Sequence, residues 1–458
     1  MKKMTMGEIG KAVSGLLICG NKNHTVSGIS TDSRQASADS LFIPIIGEKH
    51  DAHDFIGDAA GNGCRCFLIS RDGMPAGAGK NASVIKVDDT RKALQDLAKY
   101  YLNELGIRTI GITGSTGKTS TKDMTYAVCS TRYRTGRNLG NFNNDIGMPL
   151  TILGFAEDTQ IGVLEMGMDK FGEIDELSAI AEPGIAMITN IGVSHMESLG
   201  SRENIFRAKM EITNHLRSED VLIINEGEDF LKRENVCGDY RLISTGSGDG
   251  NDIIISEIND RGIDGIEFKL TCGSEVQDFI LPVPGRHNAG NASLAVAAGM
   301  ELGITMKEAA AGLAEMQLTR GRMTVIDAGG VRIIDDTYNA SPDSVRAALD
   351  LLAATEGERR IAFLGDMYEL GNNTEDMHRQ TGRYAAEKGI DRVIAVGELA
   401  RNIAEGAGAS GTYYENKDIC PAEDIVRTGD VVLVKGSRGM AMEEIVKRLS
   451  CGGNNSEI

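Results

Sequence analysis

The chain has 458 residues, a formal net charge of −18, and a composition that is 41% hydrophobic and 25% charged. This length exceeds one ordinary hydrophobic core, so we expect roughly two to four domains of a soluble globular protein. The negative charge argues against nucleic acid or an anionic membrane surface as the main partner, whereas local cationic loops can still bind small phosphates.

The cysteines and the N-terminus indicate the compartment. Eight cysteines are scattered through the chain, and only Cys64 and Cys66 lie close together. That spacing is a weak metal signal and favours reduced thiols in a cytoplasmic protein. Residues 12–19 superficially resemble the apolar part of a signal peptide, but the run is short, so an amphipathic first helix is the better prediction. No apolar run approaches membrane-spanning length, and we expect no membrane insertion.

Residues 1–106 form the first predicted unit. A helix is predicted at Thr90–Leu105, after short strands at 25–30, 41–46, 66–70 and 83–87. The polar run between the first two strands, taken by composition alone, is a solvated loop. Its residues are Thr31, Asp32, Ser33 and Arg34.

The second predicted unit, residues 107–318, opens with a strand at 109–113, a glycine-rich turn and a helix that begins at Lys118. Glycines can adopt positive φ and let backbone N–H groups close on phosphate oxygens, and the helix N-terminus adds its positive dipole end. Lys118 supplies a cation, and Thr119 or Ser120 a hydroxyl for Mg²⁺. A strict Walker loop needs glycine where Ile112 stands, so this loop is a variant. The predicted ATP-binding residues of the loop are Gly114, Ser115, Thr116, Gly117, Lys118, Thr119 and Ser120.

The remaining pattern predicts two α/β sheets. Strand candidates at 161–165, 185–190 and 221–225 alternate with helical stretches, as in a mostly parallel sheet, and residues 251–284 indicate an antiparallel meander. The third unit, residues 319–458, has strand candidates at 331–335, 360–364, 392–396 and 431–434. The sequence therefore predicts an α/β protein of three domains, with a central P-loop domain built on a mostly parallel sheet and a C-terminal Rossmann-like domain.

Polar residues near the strand ends of the second unit are candidates for chemistry, because open α/β sheets present ligands there. Glu165 offers Mg²⁺ a hard carboxylate near the phosphate loop. A histidine such as His195 is by itself more often a satisfied polar residue, but beside Glu165 and the loop it is favoured as a ligand. Asn141 and Asn144 lie in a further polar loop. Lys209, taken alone, is a helix-surface lysine.

Residues later in the chain predict the other side of a site. Asn288 and Asn291 are one helical turn apart. A carboxamide pair can read an adenine edge, but asparagine is also a common N-cap, and the spacing does not choose. Arg322 lies at the junction of the second and third units. Two polar strand ends of the third unit predict a second ligand site across a cleft from ATP, with the candidates Asp336, Asn339, Lys435 and Arg438.

These motifs together resemble the Mur ligases of bacterial peptidoglycan synthesis. No single motif is decisive, but eleven in the family's order are highly specific: TDSR (31–34), GITGSTGKTS (111–120), NFNNDIGMPL (141–150), LEMGM (164–168), ITNIGVSHMESLGSRENI (188–205), AKMEI (208–212), GRHNAGNASLA (285–295), GRM (321–323), DDTYNASPDS (335–344), LGDMYELG (364–371) and KGSRGM (435–440). The third-unit motifs are similar to the branch that adds D-alanyl-D-alanine, and the DNPR motif of the tripeptide-forming relatives is not found in the sequence.

The resemblance implies an ATP-dependent, ADP-forming ligase with ATP and Mg²⁺ as cofactors. Its first domain is expected to bind the UDP part of UDP-N-acetylmuramoyl-tripeptide, the central domain ATP, and the third domain D-alanyl-D-alanine. The terminal carboxylate of the tripeptide would be activated as an acyl phosphate and then attacked by the dipeptide amine. We also expect a monomer that does not bind nucleic acid.

The resemblance also implies roles for single residues. By this resemblance, the metal ligands are Thr119, Glu165 and His195. The expected catalytic residues are Lys118, Glu165, His195 and Lys209. ATP contacts beyond the loop fall to Asn288, Asn291, Arg322 and Asp336. Substrate contacts fall to Thr31, Asp32, Ser33, Arg34, Asn141, Asn144, Asn339, Lys435 and Arg438. Lys209 matches a lysine that is carbamylated in several relatives, although not uniformly across the family.

Two alternatives stay open from the sequence. One is a related ligase that adds a single amino acid, such as the diaminoacid-adding Mur ligase or a folylpolyglutamate synthetase. The other is an ATP-binding scaffold without catalysis, and the presence of Lys118, Thr119, Glu165 and His195 argues against it.

Overall fold

The computed structural model describes residues 1–227, 229–316, 319 and 321–451. The described residues form a two-stranded sheet and three larger sheets, one in each predicted unit. The predicted α/β class and three-part organisation are confirmed. The boundaries at 106 and 318 stay predictions, and residue 318 lies outside the described residues.

The first unit is built on a five-stranded sheet of order β2-β7-β6-β5-β4, in which β2 alone runs antiparallel to its neighbour. Its strands are β1 (Met4–Thr5), β2 (Leu16–Cys19), β3 (Thr25–Val26), β4 (Gly28–Ser30), β5 (Ser40–Phe42), β6 (Cys66–Ile69) and β7 (Ser83–Lys86). Its helices are α1 (Met6–Ala12), α2 (Ile56–Gly61) and α3 (Thr90–Leu105). The predicted helix at Thr90–Leu105 is confirmed, and Asp89 caps it by accepting two backbone N–H bonds.

Three local predictions for this unit are wrong. The strand predicted at 25–30 is two strands, because β3 pairs with β1 whereas β4 joins the main sheet. The strand predicted at 41–46 stops at Phe42, two residues before Pro44, which has no N–H for a ladder. The first helix does not include residues 16–19, which form β2 against β7.

The second unit carries a nine-stranded sheet of order β16-β15-β14-β13-β12-β11-β8-β10-β9. Its strands are β8 (Arg108–Thr113), β9 (Thr135–Arg137), β10 (Ile161–Glu165), β11 (Ile185–Ile188), β12 (Val221–Asn225), β13 (Arg241–Gly246), β14 (Ile253–Asp260), β15 (Ile266–Cys272) and β16 (Glu275–Leu281). Its helices are α4 (Lys118–Ser130), α5 (Gly147–Leu153), α6 (Glu173–Ala181), α7 (Met196–Leu199), α8 (Arg202–Met210), α9 (Asn288–Glu301) and α10 (Met306–Ala314).

The order of this sheet positions the site. β8 to β14 pair in parallel, and β14, β15 and β16 form the predicted antiparallel meander. Because β8 lies between β10 and β11, the loops that follow these three strands meet at one edge of the sheet. β9 and β13 were not predicted from the sequence.

The third unit has a six-stranded sheet of order β17-β18-β22-β19-β20-β21, in which β17 alone is antiparallel to its neighbour. Its strands are β17 (Thr324–Ala328), β18 (Val331–Asp336), β19 (Arg360–Gly365), β20 (Arg392–Val396), β21 (Gly411–Tyr414) and β22 (Val431–Lys435). Its helices are α11 (Pro342–Ala354), α12 (Thr374–Glu387), α13 (Arg401–Ala407), α14 (Ala422–Ile425) and α15 (Glu443–Cys451). The strand predicted at 331–335 is therefore the second of this unit, because β17 precedes it.

The apolar cores separate the third unit from the rest. One buried cluster runs through the first unit and one face of the second, joining Leu97 of α3 to Met148 of α5. The clusters of the third unit contain residues of that unit, with Ile263 packed at their edge. The first two units thus share one apolar cluster, whereas the third unit has apolar clusters of its own. Across the described residues, no helix has the length and apolar character to cross a membrane.

Candidate functional site

A cleft of about 1150 Å³ lies where the carboxyl ends of β8, β10 and β11 face those of β18, β19 and β22. Most of the predicted site residues line it: Ser115, Thr116, Gly117, Lys118, Thr119, Ser120, Asn141, Asn144, Glu165, His195, Asn288, Asn291, Arg322, Asp336, Asn339, Lys435 and Arg438. Gly114, the first glycine of the phosphate loop, is not part of this lining. Lys209 and residues 31–34 are not part of this lining.

The phosphate loop has the predicted backbone. Gly114 and Gly117 have φ values of 152° and 77°. A Cβ on Gly114 would lie 1.8 Å from Thr189 Oγ1, so no larger residue fits there. Lys118 Nζ donates to the carbonyl of Gly114 at 2.6 Å. Burial lowers the pKa of Lys118, and the nearby Glu165 partly offsets that effect. The loop thus holds a cation at the start of α4, where an anion is favoured.

Glu165 is buried at the end of β10, with its carboxylate fixed from both sides. Thr119 Oγ1 donates to Oε2 at 2.9 Å, and Asn143 Nδ2 donates to Oε1 at 3.0 Å. Lys122 Nζ lies 3.7 Å from Oε2. Of the two hydroxyls considered from the sequence, the one beside this carboxylate is that of Thr119. A hydroxyl and a carboxylate side by side are hard oxygen donors of the kind that Mg²⁺ prefers.

Asn143 was missed in the sequence, although it lies in the same motif as Asn141 and Asn144. The amide of Asn144 accepts the N–H of Gly147 at 2.7 Å and so supports the start of α5. The sequence of a loop does not show which of Asn141, Asn143 and Asn144 faces Glu165, because side chains in a loop do not alternate regularly between two faces.

His195 lies at the start of α7 with a φ of 64°, and its Nδ1 faces two carboxylates. Asp169 Oδ1 is 3.2 Å from Nδ1, and Glu369 Oε2 of the third unit is 3.3 Å from it. The ligand atoms of these three residues lie within 4.8 Å of one another. Hydrogen bonding to His195 lowers the pKa of Glu369. Glu369 lies in the LGDMYELG motif after β19, but nothing in the sequence pairs it with His195.

Lys209 is not the surface lysine that its sequence context suggests. It is 1% exposed, and burial lowers its pKa well below the usual lysine value, with a further lowering from Lys118. None of the described residues forms a hydrogen bond or ion pair with its ammonium group. Burial therefore favours the neutral amine form of Lys209, which lies close to the phosphate loop.

Third-unit residues reach the phosphate loop directly. Arg322 Nη2 donates to Thr119 Oγ1 at 3.0 Å, and its guanidinium lies 3.8 Å from the ring centre of Tyr338. Asp336 forms a buried ion pair with Lys435, whose Nζ also donates to the carbonyl of Asn339 at 2.8 Å. Burial lowers the pKa of Lys435, which Asp336 partly offsets. Tyr338 was not among the predicted residues, although it lies within a recognised motif.

Asn288 and Asn291 form the predicted pair at the start of α9. Asn291 Nδ2 donates to Asn288 Oδ1 at 2.8 Å, and Asn288 Nδ2 donates to the carbonyl of Pro284 at 2.7 Å. The N-cap position is His287, so Asn288 is not the cap. A Cβ on Gly117 would lie 2.9 Å from Asn291 Oδ1, which means that the Asn291 amide packs on the phosphate loop.

The segment that leads into the third unit is attached to α4. Thr319 donates its backbone N–H and its hydroxyl to Asp123 Oδ2, at 2.9 and 2.8 Å. Arg137 Nη1 donates to Asp123 Oδ1 at 2.7 Å. Asp123 is 1% exposed, so this anchor is buried directly behind the phosphate loop.

The polar run at residues 31–34 lies in the first unit, away from the cleft lining. Asp32 caps a short 3₁₀ turn, and the Arg34 guanidinium pairs with Asp32 at 2.7 Å while remaining exposed. These contacts explain the loop structure. Its expected contact with the uridine nucleotide stays a prediction.

Comparison with known families covers three stretches of the chain. Residues 25–102 match the Mur ligase family catalytic domain, residues 112–299 the Mur ligase middle domain, and residues 321–438 the Mur ligase glutamate ligase domain. The UDP-N-acetylmuramoyl-tripeptide–D-alanyl-D-alanine ligase of Bacillus subtilis is 44% identical, over 98% of this chain and 99% of the relative. The ligase of the same name from Escherichia coli is 35% identical, over 94% and 95%.

Solved structures show the same likeness. Crystal structure I of MurF from Acinetobacter baumannii matches with a TM-score of 0.90 and 32% identity, covering 98% of this chain and 99% of that one. The MurF ligase of Thermotoga maritima in complex with ADP matches with a TM-score of 0.82 and 26% identity, covering 94% and 98%.

Proposed function

Because the chain belongs to the Mur ligase family, we propose that it is an ATP-dependent, ADP-forming ligase in peptidoglycan precursor synthesis. It joins D-alanyl-D-alanine to UDP-N-acetylmuramoyl-tripeptide, as the names of its full-length relatives indicate for those proteins. One observation carries the proposal. In the cleft, a phosphate loop and the carboxylate of Glu165, a candidate metal ligand, face Lys435 and Arg438 of the third unit, which has its own apolar core.

The chemistry requires two steps. The carboxylate of the tripeptide attacks the γ-phosphorus of ATP, so the bond to the β–γ bridging oxygen breaks and ADP leaves. The neutral amine of the dipeptide then attacks the acyl carbon, and the C–O bond to phosphate breaks. Several negative charges meet in the first step, and Lys118 is the side chain placed to neutralise them. Without activation the carboxylate would have to expel oxide, which is not a viable leaving group.

Magnesium fits the donors at the loop. Thr119 and Glu165 would hold the ion, with His195 as a further ligand. When bound, Mg²⁺ supplies neutralisation of phosphate charge. The contact between the Thr119 hydroxyl and Glu165 supports this assignment, because both oxygens already face each other.

We further propose roles for the units and for the residues beyond the loop. The first unit, 1–106, binds the uridine nucleotide through residues 31–34. The central unit, 107–318, binds ATP. The third, 319–458, binds the dipeptide. Nucleotide contacts fall to Asn288, Asn291, Arg322 and Asp336. Contacts with the precursor or dipeptide fall to Asn141, Asn144, Asn339, Lys435 and Arg438. All of these nucleotide-contact and substrate-contact residues line the same cleft, which supports both assignments.

Lys209 is proposed to act in the reaction as a carbamate or as a neutral amine. Only a neutral amine adds to CO₂, and the burial that lowers the pKa of Lys209 favours that form. We also propose a cytoplasmic monomer. Seven of the eight cysteines, from Cys19 to Cys420, are free thiols, and free thiols fit a reducing compartment.

A coupled ADP-release assay tests the proposal. The chain is supplied with ATP, Mg²⁺ and each of two tripeptide precursors, ending in meso-diaminopimelate or L-lysine. D-alanyl-D-alanine should drive ADP release, whereas single amino acids or glutamate should not. With ¹⁸O in the tripeptide carboxylate, one labelled oxygen should appear in the released phosphate. ADP release driven by a single amino acid would instead favour the related ligases, and nucleotide binding without ADP release would favour a scaffold.

A further inference from the structure

One contact across the cleft is not explained by the roles assigned so far. Glu369 Oε2 of the third unit lies 3.3 Å from His195 Nδ1 of the second. Asp169 Oδ1, from the same unit as the histidine, lies 3.2 Å from the same nitrogen. Two carboxylates on Nδ1 favour the tautomer that carries its proton there, so Nε2 is the nitrogen with a lone pair for a ligand.

The loop that carries Glu369 is fixed on its own unit. The N–H of Met367 donates to His378 Nε2 at 2.9 Å, and the N–H of Tyr368 donates to Ser437 Oγ at 2.9 Å. His378 is fully buried and Ser437 is 3% exposed, so both anchors belong to the interior of the third unit. Glu369 is therefore presented from a rigid base, although its own side chain is 61% exposed.

The same loop packs against the helix that begins at His195. A Cβ on Gly371 would lie 3.7 Å from the Cα of Glu197, and Gly371 has a φ of 63°. The contact between Glu369 and His195 is thus part of a docked surface between a loop of the third unit and α7 of the second.

We propose that Glu369 is a positioning residue for the ligase reaction, acting through His195. Its carboxylate accepts the Nδ1 proton when the third unit is docked, which fixes the ring and leaves Nε2 as the ligand nitrogen. Histidines that ligate metals commonly donate their other N–H to a carboxylate in this way. Because Glu369 belongs to the third unit, the histidine is oriented fully only in the docked arrangement, which links domain docking to readiness for chemistry.

Asp169 does not make Glu369 redundant. Asp169 is on the same unit as His195 and 78% exposed, so it stays near the ring in every arrangement of the third unit. Only Glu369 depends on docking.

The inference rests on the proposed function, and two kinds of measurement separate them. We would compare Glu369→Ala, Glu369→Gln and the control Glu375→Ala, which removes an exposed carboxylate of α12 on the same unit. Glu369→Ala should reduce kcat, or raise the Mg²⁺ concentration for half-maximal rate, by about 10–100-fold. The KM for ATP should stay within about twofold. Glu369→Gln should recover part of the loss because its amide oxygen still accepts a hydrogen bond, and Glu375→Ala should match the wild type.

The second readout is independent of turnover. In protein labelled with ¹⁵N-histidine, the ring nitrogens of His195, assigned with a His195→Asn variant, report the tautomer. We expect the Nδ1–H form in the wild type and a mixture in Glu369→Ala. Wild-type kcat and Mg²⁺ dependence in Glu369→Ala, or an unchanged His195 spectrum, would overturn the positioning role. A wild type that shows the Nδ1–H form but never releases ADP would instead overturn the proposed function.

Discussion

Gly117 gives the sharpest test of the phosphate loop, because the chain contains a matched control. Gly117 and Gly172 are both N-cap residues with left-handed backbone, at φ values of 77° and 87°. A Cβ on Gly117 would lie 2.9 Å from Asn291 Oδ1, whereas a Cβ on Gly172 would meet nothing within 4 Å. Gly117→Ala and Gly172→Ala therefore share the backbone strain and differ in one steric contact.

The magnitudes follow from that difference. A left-handed alanine costs about 1–2 kcal/mol, so both variants should lose about that much free energy of unfolding. Gly117→Ala must also displace the Asn291 amide from Asn288, which costs about 1 kcal/mol more for a lost hydrogen bond. Because the loop and Asn291 both move, ATP affinity should fall by at least about tenfold, which is about 1.4 kcal/mol. Gly172→Ala should retain wild-type affinity.

The assays are calorimetric titration with ATP and denaturant unfolding of both variants. Equal ATP affinities in Gly117→Ala and Gly172→Ala would refute the reasoning, because the steric contact with Asn291 would then have no effect on ATP binding. Weak binding in both variants would show that the backbone strain at either helix start, rather than the steric contact, controls the loop.

Three further outcomes are expected. Lys118→Ala should slow ADP release by at least about 10²–10³-fold, by analogy with the loss of one preorganised charge stabiliser, and near-normal turnover would contradict its role. Asn143→Ala frees Glu165 Oε1 and should raise the Mg²⁺ concentration for half-maximal rate by about 10-fold, measured by metal titration of the rate. Lys209→Met, in carbonate-free buffer, should be more stable than the wild type near pH 7, because burial disfavours the protonated lysine in the folded state relative to the unfolded chain. This difference in stability should narrow as pH rises toward about 10.4, the pKa of an unfolded lysine. A difference that widens with pH would contradict the lowered pKa of Lys209.

The sequence predicted the parts of the site that depend on strand ends. Lys118 and Glu165 follow apolar strands that are adjacent in a parallel sheet, so their proximity could be inferred from chain order and loop composition. Asn143 could not be chosen over its neighbours, because loop geometry decides which amide meets Glu165. Glu369 could not be paired with His195, because that contact depends on how two separately packed units dock.

Burial and short strands were the other limits. Lys209 lies on a helix whose sequence suggests a solvent-facing lysine, and tertiary packing around α8 buries it instead. The division of residues 25–30 into β3 and β4 depends on two different partner strands, which local propensity does not encode.

The anchor between Asp123 and Thr319 has a mechanical consequence. Because it fixes the connecting segment to α4, behind the phosphate loop, a rotation of the third unit would pivot beyond residue 319. Gly321, with a φ of 74°, is the first glycine after the anchored residue Thr319. Neither Thr319 nor Asp123 lines the cleft, so a substitution that breaks their contact would release the connecting segment without removing a side chain of the cleft.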